Sequence, residues 1–149
     1  MNKTPVSITM TMEIIDDDNK EITVTEEKGL LMEKNQMTVL TFSEQNEYNE
    51  RTDSFITIQP DKVSVKRSGA VSMHQKFTEK QRTENVYRHQ FGTMHMETMT
   101  EQIQYQQLEK KRNGKLFISY TTSLNGADPQ KTSVNHSIQP GRQSLKWRY

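Results

Sequence analysis

The stretch KRSGAVSMHQKF, residues 66–77, decides how the chain folds. Before it, Val63 and Val65 alternate with polar residues, and within it Val71 and Met73 alternate with polar residues again. A period of two is typical of half-buried β-strands, because successive side chains of a strand point to opposite faces. A Ser-Gly pair separates the two runs, and glycine adopts positive φ angles without a Cβ penalty. The stretch therefore predicts strand, tight connection, strand.

The same alternation recurs along most of the chain, with Asp, Asn, Gly and Pro between the runs. We expect Ile22 and Val24 of the second run to face inward, and Asn113-Gly114 to form a hairpin turn between alternating flanks. Residues 101–112 are ambiguous between helix and strand; we favour a strand extension, because Ile103 and Tyr105 keep the period of two. About 8–10 short strands in hairpin succession predict an all-β fold, a single antiparallel up-and-down β-barrel, since closure hides the sheet edges. A two-sheet sandwich is the alternative.

Composition excludes several protein classes. The 149 residues fit one domain, and the absence of Cys removes disulfides and thiol chemistry and suits a reducing cytoplasm. The first residues lack the unbroken apolar run of a secretory signal, and no apolar run is long enough for a transmembrane helix. With 20 basic and 19 acidic side chains, the net charge of the chain does not indicate a nucleic acid or a membrane as its partner. We therefore expect a cytoplasmic protein.

Several short motifs point to one family. They are the Arg-Ser-Gly-Ala-Val run at 67–71 with Met73 and Phe77 after it, Tyr87 followed by Phe91-Gly92, Gly29 before 32–34, and the segment 120–126. With these motifs, the chain from about Thr9 to Ile138 resembles the YwiB-like family of small bacterial β-barrel proteins, a domain-of-unknown-function family. The resemblance implies a lipocalin-like (calycin) barrel in a bacterial cytoplasm and supplies no catalytic residues. The chain departs from the family pattern at Leu30-Leu31, where similar proteins carry aromatic residues, and after Pro140.

No catalytic or metal-binding motif is present in the sequence. The four histidines, His74, His89, His95 and His136, are not spaced as zinc ligands, and we expect His74 and His95 to be solvated. The acidic residues 16–18 lack the ligand spacing of a calcium loop, and Ser68 does not lie in a nucleophile elbow. We expect no enzyme activity, no catalytic residues, no metal and no cofactor.

Our first functional hypothesis is a binding module. Arg67 shares the inward parity of Val63 and Val65, and a buried guanidinium needs either a protein partner, carboxylate or carbonyl, or a bound anion such as a ligand carboxylate. A small apolar or amphiphilic molecule would then occupy a lumen with Arg67 at its polar end and an apolar lining. The candidate ligand-binding residues are Arg67, Met73, Phe77, Met94, Met96 and Tyr120. The same apolar side chains would otherwise fill the barrel as ordinary core.

The alternative hypothesis is a structural or regulatory protein that acts through its outer surface on a protein partner. We divide the chain into a barrel domain, residues 1–140, and a basic, aromatic tail, residues 141–149. The tail or an exposed strand edge would carry the contact. RNA is a less favoured partner, although Trp147 and Tyr149 can stack on bases beside basic residues.

Overall fold

All regular structure in the computed structural model, which describes residues 2–141, is β-strand. Ten strands follow one another: β1 (Asn2–Asp16), β2 (Asn19–Lys34), β3 (Met37–Gln45), β4 (Arg51–Ile58), β5 (Lys62–Gly69), β6 (Met73–Thr78), β7 (Arg82–His89), β8 (Gly92–Gln106), β9 (Gly114–Leu124) and β10 (Gln130–Pro140). None of the described residues belongs to a helix long and apolar enough to cross a bilayer.

The strands form one antiparallel sheet in the order β6-β5-β4-β3-β2-β1-β10-β9-β8-β7. Consecutive strands are neighbours throughout, and β1 pairs with β10, so the connectivity is up-and-down. The two outer strands, β6 and β7, approach each other through main-chain hydrogen bonds between Ser72 and Arg88, of 2.9 and 2.8 Å, and through the Thr83 hydroxyl, which donates to the carbonyl of Lys76. The sheet is therefore a nearly closed barrel, and the predicted up-and-down β-barrel is confirmed.

Alternate residues of the strands supply the core. Since side chains of a strand point alternately to the two faces, every second residue is buried inside the barrel in β4 and over 132–138 of β10, and parts of β1 and β9 follow the same alternation. The most deeply buried aliphatic side chains are Val6, Ile8, Leu40, Ile56, Val63, Leu116, Ile118 and Ile138. Each contributes about 1.5–3 kcal/mol to folding by its burial.

The stretch 66–77 forms the predicted strand, connection and strand. β5 ends at Gly69, whose φ is +123°, and β6 begins at Met73. A Cβ at Gly69 would overlap the carbonyl oxygen of Arg51 on β4, and the next amide, that of Ala70, donates to this oxygen at 3.0 Å. Glycine is therefore required here both by the backbone angle and by the closeness of β4.

The barrel wall opens between β2 and β3. These strands pair only from Gly29 opposite Phe42 to Lys34 opposite Met37, while β2 continues along β1 to Asn19. Extending the ladder by one further pair on the interior side would bring Glu27 opposite Glu44, and like charges directly opposite each other are destabilising. Within the described residues, the part of β2 from Asn19 to Lys28 thus has a neighbouring strand on one side only.

The structure corrects two local predictions, and a third falls almost entirely outside the described residues. Ile22 and Val24 face outward, 57% and 59% exposed, so their predicted inward orientation is wrong. The reason is the register of β2 on β1. Met10 and Met12 of β1 lie opposite Thr25 and Thr23, which puts the odd-numbered residues of β2 inside. The strand predicted over 101–112 is correct only to Gln106, after which the chain turns. The tail at 141–149 lies, except for Gly141, outside the described residues; the amide of Gly141 donates to Pro5 at 2.8 Å.

Candidate ligand-binding cavity

A cavity of about 260 Å³ lies inside the barrel, at the end where β2 and β3 separate. Its wall is mainly apolar, formed by Met10, Met12, Phe42, Ile56, Val65, Met73, Phe77, Ile118, Tyr120 and Val134. The polar lining residues are Thr23, Thr25, Glu44, Ser54, Arg67, Gln75 and His136. An apolar wall with a few polar groups is the usual composition of a small-molecule site.

Four of the six candidate binding residues, Arg67, Met73, Phe77 and Tyr120, line this cavity. The aromatic rings of Phe77 and Tyr120 pack together with their centroids 4.8 Å apart. Met94 and Met96 belong to the interior side of β8 but are not part of the cavity lining. Met96 is buried instead beside the amide of Gln75, at an N···S distance of 4.0 Å.

Arg67 lies at the polar end of the cavity, next to a carboxylate. Its Nη2 is 3.9 Å from Oε1 of Glu44, and both side chains are about one-quarter exposed, 28% and 26%. The sequence left open whether a carboxylate, a carbonyl or a bound anion meets Arg67, and in the structure Glu44 is the nearby group. The guanidinium is therefore already partly neutralised before any ligand enters.

A second carboxylate lies close to this pair. The pKa of Glu27 is raised by partial burial and by the negative charge of Glu44. Glu27 is not among the groups that form ion pairs in the described residues. The polar end thus combines two carboxyl groups with one guanidinium, and its potential is negative when both carboxyl groups are ionised.

Several polar residues that the sequence motifs did not mark also line the cavity, among them His136 and Thr25. His136 is 4% exposed, and burial lowers its pKa, so the ring is neutral. Its Nδ1 lies 3.1 Å from the carbonyl oxygen of Leu116; since a carbonyl only accepts, Nδ1 carries the proton and Nε2 is left as an acceptor. The hydroxyl of Thr25 is buried without a hydrogen-bond partner among residues 2–141. The alternation of His136 with Val134 and Ile138 was a signal for its burial, whereas nothing in the sequence marked Thr25.

Tyr120 adds a hydroxyl to the mainly apolar part of the wall. Burial raises the pKa of its hydroxyl to about 12, so this group stays protonated at neutral pH. It can therefore donate one hydrogen bond to a ligand while its ring contributes to the apolar wall.

The outside of the barrel brings three possible metal ligands together. Glu84 of β7 lies opposite Glu97 of β8, and His95 lies two residues before Glu97 on the same face. Their ligand atoms are within 4.8 Å of one another, with His95 Nε2 3.8 Å from Glu97 Oε1, and His95 is exposed as expected. Because such exposed groups are common on protein surfaces, this geometry does not overturn the prediction of no metal site, which stays a prediction.

Comparison with known proteins places the chain in a family. It matches the family described as "Domain of unknown function (DUF1934)" over residues 8–135. The chain belongs to the DUF1934 family. A relative from Bacillus subtilis (strain 168), described as "Uncharacterized beta-barrel protein YwiB", is 29% identical over 136 residues, which cover 91% of this chain and 92% of the relative.

The crystal structure of the ywiB protein from Bacillus subtilis superimposes with a TM-score of 0.82 at 24% identity, over 93% of each chain. At this identity the match supports the fold alone. The YwiB-like resemblance predicted from the sequence motifs is confirmed, and no function is established for DUF1934 proteins.

Proposed function

We propose that this DUF1934 barrel is a non-enzymatic binding protein whose cavity holds a small, mainly apolar molecule with one polar group. The observation that carries the proposal is the cavity of about 260 Å³, with an apolar wall and a charged end. Drug-sized ligands occupy roughly 300–1,000 Å³. The volume therefore favours a short amphiphile over a haem or a long acyl chain.

The charges at the polar end favour a particular head group. Arg67 already has a carboxylate neighbour in Glu44, so an anionic ligand would compete with that carboxylate. Glu27 adds negative charge, and His136 Nε2 adds an acceptor. A cationic amine or another strong hydrogen-bond donor matches this set better than a carboxylate does.

The absence of catalysis in this proposal rests on the partners of the buried groups. His136 is hydrogen-bonded to a main-chain carbonyl of Leu116, and the nearest described partner of Arg67 is Glu44. General acid–base catalysis needs a titratable group within reach of a proton to be transferred and an environment that adjusts its pKa to the working pH. Among the described residues, the hydrogen-bond partner of the His136 ring is this carbonyl, so no carboxylate orients the ring and no nucleophile is bonded to it. We retain the lipocalin-like comparison and a cytoplasmic setting as parts of the proposal.

A panel of three short amphiphiles tests the proposal. Hexylamine, hexanol and hexanoate differ only in the head group, and binding is measured by thermal shift and isothermal titration, together with native mass spectrometry of protein purified from its host. We expect the amine to bind best and Glu27→Gln to weaken it. Preferential binding of hexanoate would refute the head-group argument alone, whereas a bare-chain mass and no shift with any compound would refute ligand binding.

A matched pair of variants locates the binding. Met73 lines the cavity and Met94 does not, although both lie half-buried inside the barrel. We expect Met73→Trp to fill the cavity and abolish binding, and Met94→Trp to leave it intact. Equal loss in both variants would show that the ligand does not occupy this cavity.

A further inference from the structure

Part of β2 has an unpaired main-chain edge within the described residues. In residues 2–141, β2 from Asn19 to Lys28 has a hydrogen-bonded neighbour in β1 and none on its other side. The outward side chains of this segment include Ile22 and Val24, 57% and 59% exposed. Natural proteins usually protect such an edge, because its free main-chain groups pair readily with another strand.

The direction of the main-chain groups follows from the two flanking hairpins. Asp16 pairs with Asn19 across a two-residue loop, and Lys34 pairs with Met37 across another. In each hairpin, the two residues that flank the loop must exchange both of their main-chain hydrogen bonds with each other. If they did not, the next pair to do so would be the two adjacent loop residues, which cannot bond to each other in this way. The odd-numbered residues of β2 therefore bond to β1, and the even-numbered ones direct N–H and C=O towards β3. Between 20 and 28, these even-numbered groups point to the free edge.

We propose that this edge pairs with the same edge of a second copy, antiparallel and two-fold symmetric about Thr23. In that register, Ile22 faces Val24 of the other copy, Lys20 faces Glu26, and Lys28 faces Asp18. All outward pairs are then apolar or oppositely charged. The two-fold contact is self-complementary, as an isologous dimer requires.

The neighbouring registers are worse for the same side chains. A two-fold axis at Val24 puts Lys20 opposite Lys28 and Ile22 opposite Glu26. An axis at Ile22 puts Asp18 opposite Glu26 and Lys20 opposite Val24. The other two registers thus bring like charges together or place an apolar side chain opposite a charged one. The register centred on Thr23 avoids both and is therefore favoured. Four facing pairs, 20 with 26 and 22 with 24 in both directions, would form about eight main-chain hydrogen bonds.

Charge reversal with rescue tests this pairing. In Glu26→Lys, Lys20 of the other copy faces a second lysine, and we expect self-association to weaken roughly tenfold. Lys20→Glu combined with Glu26→Lys restores opposite charges, and we expect the dimer to return, although this double variant loses the contact that Lys20 makes with Glu13 at 3.3 Å. Glu84→Lys on β7 makes the same charge change away from the edge and is the matched control.

Sedimentation equilibrium and light scattering from about 1 µM to 1 mM read the oligomeric state of the full chain. Val24→Pro removes an N–H from the free edge without removing one from the β1 ladder, and we expect it to be monomeric. Circular dichroism confirms that each variant is folded. The inference is overturned by a wild-type protein that stays monomeric throughout, by a dimer that persists in Glu26→Lys and Val24→Pro, or by a double variant that does not recover.

Discussion

Substitution of Gly69 by alanine separates two reasons why a glycine is needed. The residue has a φ of +123°, and an added Cβ would overlap the Arg51 carbonyl oxygen. Backbone strain in a sparsely populated region costs about 1–3 kcal/mol, and forced overpacking costs about 1–3 kcal/mol more. A gain of about 0.4–1 kcal/mol from the stiffer unfolded chain offsets part of this. We therefore expect Gly69→Ala to lower the free energy of unfolding by about 1–5.5 kcal/mol.

Gly92→Ala is the matched control. Gly92 has a φ of +140°, and nothing lies within 4 Å of its added Cβ, so only the strain and the unfolded-state gain apply. Urea unfolding followed by circular dichroism should show Gly69→Ala less stable than Gly92→Ala by about 1–3 kcal/mol, which corresponds to roughly 2–4 °C in Tm per kcal/mol. Equal stability of the two variants would refute the argument that β4 approaches β5 too closely for a side chain.

Three further outcomes follow from buried and exposed positions. Thr98→Val should lower the free energy of unfolding, measured in urea, by about 1–3 kcal/mol. The reason is that the side-chain amide of Gln75 donates to the Thr98 hydroxyl at 2.9 Å in the interior and would lose this acceptor. An unchanged free energy of unfolding would show that the amide finds another acceptor. The pKa of His136 in the folded state lies below its usual 6.5, so the unfolded chain binds more protons than the folded chain does. The free energy of unfolding should therefore fall as the pH drops below about 6.5. His136→Gln should make the free energy of unfolding less dependent on pH in this range, and an unchanged slope would contradict the argument. Ile8→Ala should lower the free energy of unfolding by about 2–5 kcal/mol, whereas Ile22→Ala should change that of the monomer by no more than about 0.5 kcal/mol. A large loss at Ile22 at a protein concentration where the chain is monomeric would contradict its outward orientation.

Turn chemistry was predictable at one Asn-Gly pair and misleading at the other. Asn125 and Gly126, with φ angles of 50° and 75°, form a tight turn at the start of the β9–β10 connection, in which the amide of Ala127 donates to the carbonyl of Leu124 at 2.9 Å. At Asn113-Gly114 the chain reverses earlier, where Glu109 and Arg112 bond to each other's main chain at 2.9 and 3.3 Å. Gly114 instead begins β9, and its added Cβ would lie 3.2 Å from Leu108. Sequence alone does not distinguish a glycine needed for its φ angle from one needed for its small size.

The candidate site was predictable only where residue type and strand parity agreed. Arg67, Met73, Phe77 and Tyr120 combine inward parity with a size or charge that attracts attention, and all four line the cavity. Thr25 follows the wrong parity assignment of β2 and was missed. Met94 has the right parity, but the position of β8 around the barrel, which no local pattern encodes, keeps it out of the cavity.

The reversed faces of β2 have a physical cause that connects the cavity to the free edge. The two-residue turn between Asp16 and Asn19 fixes the register of β2 on β1, and a shift by one residue would turn every side chain to the other face. In the observed register, Thr23, Thr25 and Glu27 face inward, where they meet Met12, Met10 and the carboxylate of Glu44. The inward row is thus too polar to close against β3, and the outward row carries Ile22 and Val24 instead. One choice of register therefore opens the mouth of the cavity and leaves an apolar edge beside it, so a substitution that shifts this hairpin should alter ligand binding and self-association together.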